Sequence, residues 1–146
     1  MAKPNVYTAH PAIDDRLRGD LVSTYASGLW FGAAPQGSLP ASDEKPMVLI
    51  ESEFEPDTAL PLDNGELFFN VWCIQHRNAT RADLRTLLGR VIGDASTHGL
   101  LRWQPTISGV GTSEIGFNGR QEDGPYDPEY VTVGVPFRLY LTEIPA

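Results

Sequence analysis

The chain has 146 residues, a length that fits one domain spanning positions 1–146, and 41% of them are hydrophobic, enough for a real core. Its net charge of -8, from 19 acidic and 11 basic side chains, argues against a nucleic-acid grip, which needs Lys and Arg massed on one face. The lone cysteine, Cys73, excludes an internal disulfide framework, and no stretch approaches the ~20 apolar residues of a membrane helix.

The lead, Met1 to Asn5, has no apolar signal core, so the chain reads as made in the cytosol. Pro11 to Ser27 reads as the first helix. Pro11 suits a first helical position, and Ile13, Leu17, Leu21 and Tyr25 recur every fourth residue. Asp14 and Asp15 fall where a first turn favours negative charge, and Gly28 ends the pattern. Leu29-Trp30-Phe31 is a brief strand or a plug under that helix. Residues 33–46 are loop, with Pro35, Gly37 and Pro40.

Met47 to Phe54 is a strand. Met47-Val48-Leu49-Ile50 is continuous, and Glu51, Glu53 and Glu55 then alternate, so one end is buried on both faces and the other emerges into water. A turn region follows to Asn64, where Asn64-Gly65 is a hairpin signal. Residues 66–76 form a second, antiparallel strand. Its Leu67, Phe68, Phe69, Val71, Trp72, Cys73 and Ile74 read as buried on both faces.

Thr80 caps a helix over 80–92, with Asp83 three residues on. Leu84, Leu87, Leu88, Val91 and Ile92 lie at helical spacing, and Gly93 stands at the stop. Leu100 to Trp103 reads as a short strand start. Residues 106–117 are Gly-rich and 118–128 form a polar loop. Glu129 to Thr142 is a long final strand. Val131, Val133, Val135, Phe137, Leu139 and Leu141 face one way; Tyr130, Thr132, Gly134, Pro136, Arg138 and Tyr140 face the other. Pro136 cannot donate to a ladder, so the strand is expected to be an edge there, or bulged. The pattern predicts an α+β fold: a mixed, mostly antiparallel sheet with two helices packed against it.

Residue chemistry points to no reaction. His10, His76 and His98 are scattered, without metal-ligand spacing, so no metal or cofactor is expected. Cys73 and His76, three apart on a strand, point to opposite faces and make no catalytic pair. Glu51, Glu53 and Glu55 share a face that could bind a cation or supply an acid and a base. A solvated or subunit-facing edge is the simpler reading. Gly109-Val110-Gly111 lacks the strand–loop–helix setting of a phosphate loop. Asn78-Ala79-Thr80 matches a glycosylation acceptor only in a secreted chain. Trp30, Trp72 and Trp103 read as core or interface anchors.

Taken in order, several features resemble the tail terminator proteins of long-tailed bacteriophages. They are the helix Pro11–Ser27, the element Pro35-Gln36-Gly37, and Pro46 before Met47-Val48-Leu49-Ile50. The aromatic Phe69-Asn70-Val71-Trp72, the helix Ala82–Ile92 and the closing strand Tyr130–Leu141 complete the set. The Gly-rich segment 106–128 is longer than that pattern. The resemblance implies a structural virion protein of the neck and tail, assembled in the host cytoplasm, with no enzyme activity. It implies a homo-hexameric ring that caps the head-proximal end of the tail tube. Its partners would be the major tail tube protein and the head-completion connector. DNA would pass the lumen without specific binding, and no membrane is involved. Tyr130, Thr132, Pro136, Arg138, Tyr140, Glu51 and Glu53 are then the candidate subunit or partner surface. Two other readings stay open: a head-closure or tail-completion connector, and a small ligand-binding or enzymatic domain using the Glu51/Glu53/Glu55 face and the tryptophans.

Overall fold

The computed structural model describes residues 3–58, 64–124 and 127–144. Its elements are α1 (His10–Leu21), β1 (Leu29–Phe31), β2 (Met47–Asp57), β3 (Asn64–His76), α2 (Arg81–Ile92), β4 (Val110–Thr112), β5 (Gly116–Phe117), β6 (Glu122–Asp123) and β7 (Tyr130–Glu143). The fold is α+β, with two helices and a mixed, mostly antiparallel sheet of seven strands in the order β1-β2-β3-β7-β4. β5 and β6 also pair with β7, and only β1, parallel to β2, departs from the antiparallel arrangement. Among the described residues no helix is long and apolar enough to cross a membrane.

Alternation decides where the core lies. Val48 and Ile50 of β2, Leu67, Phe69, Val71 and Cys73 of β3, and Val133, Val135, Phe137, Leu139 and Leu141 of β7 form one face. That face buries Ile13, Leu17 and Leu21 of α1 and Leu84, Leu87, Leu88 and Val91 of α2. Phe69, Phe137 and Phe117 stack in sequence across it, at centroid spacings of 5.4 and 5.7 Å. Both helices therefore cover the same side of the sheet, and among the described residues the other side carries none.

α2 has the expected extent, with Thr80 at its N-cap and Gly93 at its C-cap in the left-handed region (φ 77). The Thr80 side chain makes no cap bond. Its carbonyl accepts instead from the buried Gln75 Nε2 at 2.7 Å and from the Asp83 N–H at 3.1 Å. Leu100 to Trp103 is not a strand. It folds back on the end of α2, Leu100 N–H donating to the Val91 carbonyl (2.9 Å) and Leu101 N–H to that of Ile92 (3.0 Å), orphan acceptors at a helix C-terminus.

α1 is shorter than the predicted 11–27. Val22 turns extended and Ser23 adopts φ 75, while Tyr25 and Ala26 both donate to the Leu21 carbonyl. The helix also starts a residue early, so its first turn holds no acidic side chain. Asp14 instead accepts a two-pronged bond from Arg18, 3.0 Å from Nε and 2.7 Å from Nη2.

β2 runs on to Asp57, beyond the predicted end at Phe54, and Asn64-Gly65 lies in β3, paired with Asp57 and Pro56, rather than in a turn. The Asn64 carboxamide is buried and accepts from the Glu143 N–H at 2.9 Å. The predicted turn residues 59–63 lie outside the described residues.

The expected edge at the final strand is overturned. β7 is interior: β3 pairs it from Tyr130 to Leu141, and β4, β5 and β6 cover its other side. The Gly-rich and polar segments, read from sequence as loop, supply those three short strands. Pro136 fits because backbone groups alternate sides along a strand. The carbonyls of Thr132, Pro136 and Tyr140 accept from Gly124, Asn118 and Ser113, all on the β4–β6 side. The donor missing at Pro136 thus faces the gap between β5 and β6 and leaves the β3 ladder intact.

Candidate interaction surface

All seven residues singled out from sequence lie on the helix-free side of the sheet, and β3 joins them in rows. Glu51 pairs with Asn70 and Asn70 with Pro136; Glu53 pairs with Phe68 and Phe68 with Arg138. Thr132 sits beside Ile74, Tyr140 beside Glu66 and Tyr130 beside His76, whose ring meets that of Tyr130 edge-on at 5.6 Å. Glu51, Glu53 and Arg138 are exposed, Tyr130, Thr132 and Tyr140 half-buried, and Pro136 buried. Glu53 and Arg138 are two strands apart, about 10 Å across the pleat, so the basic and acidic side chains flank an apolar column.

That column is what sequence reading missed. Phe68, Trp72 and Ile74 of β3 and Leu49 of β2 are half-buried on the bare side. Strand β3 is apolar on both faces, as predicted, but only one face is packed under helices. The signal was present: more apolar residues than a one-sided sheet requires. The Trp72 ring lies over Gly134, where a Cβ would come 2.5 Å from a ring carbon, and its indole N–H is buried without an acceptor among the described residues.

Two grooves on this side flank the apolar column. One, of about 310 Å³, is lined by Leu49, Trp72, Ile74, Tyr130 and Thr132, with Glu51 and Asp127 contributing carboxylates. The other, of about 430 Å³, lies between Glu51, Glu53, Phe68 and Asn70. At the far end the Tyr140 hydroxyl donates to Asp57 Oδ2 at 3.0 Å. That bond, with desolvation and the carboxylate's charge, holds the phenol above its ordinary range.

The other candidates are apart from this surface or inert. Cys73 is buried on the helix side, and burial pushes its thiol up to about 12, while His76 stands on the opposite side. His10 bonds Ser52 Oγ through Nε2 at 2.9 Å, lies 4.5 Å from the Phe31 ring, and is lowered by burial. His98 sits by Asp94, whose carboxylate is held well below its usual range by bonds from the Thr97 backbone and hydroxyl. Among the described residues no group of three His, Cys, Asp or Glu side chains is gathered to hold a metal ion. Of the tryptophans, Trp72 is on the bare side, Trp103 packs on the core under Arg16 (4.9 Å), and Trp30 lies over Gly28.

The molecule is thus a two-layer α+β protein whose second sheet face is uncovered, amphipathic and edged with carboxylates. No protein-family model matches the chain, and no curated protein matches it. Among solved structures it is similar to a chain of a virion of a native gene transfer agent (GTA) particle. The identity is 14% and the TM-score 0.58, over 92% of this chain and 95% of that one. At that identity the likeness is one of fold.

Proposed function

We propose that this chain is a structural protein of a phage-like virion: the tail terminator, which closes the head-proximal end of the tail tube as a hexameric ring and joins it to the head connector. The carrying observation is the fold shared, nearly end to end, with a chain of a gene transfer agent virion. The uncovered amphipathic sheet face, where the seven candidate residues gather, supports it, because a face of that kind fits a protein that works by contact. In this reading the chain catalyses nothing, and its partners are copies of itself, the tube protein and the head-completion connector. The seam does not run along β7, whose two sides are already paired. The net charge of -8 per copy gives a ring that repels DNA and lets it slide through.

Electron microscopy of the purified protein mixed with tail tubes tests this. The expected image is a six-fold ring on one end of each tube. Rings that ignore tubes and bind the portal-side adaptor would identify a head-closure connector instead, and a chain that binds neither would sink the reading.

A further inference from the structure

The exposed side of α2 carries Arg81, Ala82, Arg85, Thr86 and Gly89. The Arg85 side chain has no hydrogen bond or ion pair among the described residues, and neither do the side chains of Glu51, Glu53 and Glu55 on the far side of the sheet. Gly89 is the odd residue in this helix. Glycine weakens a helix interior, yet a Cβ at Gly89 would meet nothing within 4 Å, so no packing inside the chain calls for it. A close neighbour from outside would.

We propose, resting on the ring reading above, that the exposed side of α2 of one copy docks on the bare sheet face of the next. Arg85 lies against the Glu51–Glu53–Glu55 column, and the bare backbone at Gly89, one turn further on, settles toward Leu49 and Trp72. The charges are complementary: the helix side offers unpaired arginine, and the sheet offers three carboxylates beside an apolar strip. The spacings agree as well. A four-residue step along a helix is about 6 Å, and a two-residue step along a strand is about 6.7 Å, so Arg85 and Arg81 lie in register with successive glutamates. Arg81 Nη1 already bonds Gln75 Oε1 (3.1 Å) and the Arg77 carbonyl (3.3 Å), so of the two only Arg85 is unpaired among the described residues. The two surfaces lie on opposite layers of the molecule. The contact is therefore heterologous, the type that closes into a ring when its rotation permits.

Charge reversal tests it. Arg85→Glu and Glu53→Arg should each weaken self-association at least tenfold in sedimentation velocity, with and without tail tubes, and the double variant should recover to within about threefold of wild type. Gly89→Leu should abolish rings while circular dichroism shows the helix intact. Rings that persist in Arg85→Glu, or a double variant that does not recover, overturn this seam and leave the ring reading standing. Loss of tube binding with rings unchanged would assign the face to the tube protein and overturn it equally. A wild-type chain that stays single with and without tubes sinks both.

Discussion

Cys73 shows how burial sets a side chain's chemistry. Its thiol is enclosed on the helix side of β3, so iodoacetamide at pH 8 should leave the native chain unlabelled and modify it once urea unfolds it. The same burial sets a pH dependence. The folded pKa, about 12, lies above the ordinary 9.0, so the contribution is complete below about 9 and is lost as pH rises toward 12. Across that window urea-unfolding stability should fall faster than in Cys73→Ala, by at most about 1.4 kcal/mol per pH unit. Gly93 is constrained differently. Its φ of 77 is strained for other residues, and a Cβ would run into the His98 carbonyl and the Gly99 backbone, neither of which can swing aside. Gly93→Ala should cost more than about 2 kcal/mol in chemical denaturation.

At the scale of elements, β7 is the organising strand. Phe137 is fully buried between Phe69 and Phe117, whereas Phe117 is 41% exposed. Phe137→Ala should cost about 3–5 kcal/mol and Phe117→Ala clearly less, measured by the shift in urea midpoint. Pro136→Ala should change stability by under about 1 kcal/mol, since the new N–H points into the gap between β5 and β6; a large loss would mean the ring was packing that gap closed. Much of this was legible in sequence. The period of α2, its Gly93 stop, the antiparallel pairing of β2 with β3 and the two-faced alternation of β7 are local patterns. The three short strands that cover β7 were not legible, because segments of two or three residues rich in glycine carry no period and pair only where β7 offers a partner. The end of α1 at Leu21 escaped for a similar reason: Tyr25 continues the helical spacing and still packs against the core after the backbone has turned.

For the whole molecule, stability and assembly should respond in opposite directions at Gly89. Gly89→Ala should stabilise the isolated chain by about 1 kcal/mol in thermal or urea unfolding, because nothing inside the chain opposes the added methyl, and should weaken self-association. A chain that gains stability and assembles as before would show that Gly89 meets no neighbour.

The order of residues alone settled that the protein is an α+β fold with helices laid on a mostly antiparallel sheet, since that property follows from periods of 2 and 3.6 read over a few residues. Tertiary structure decided which face of β3 the helices take and which stays open. Both faces of that strand are apolar, and the choice depends on where α1 and α2, distant in sequence, come to rest.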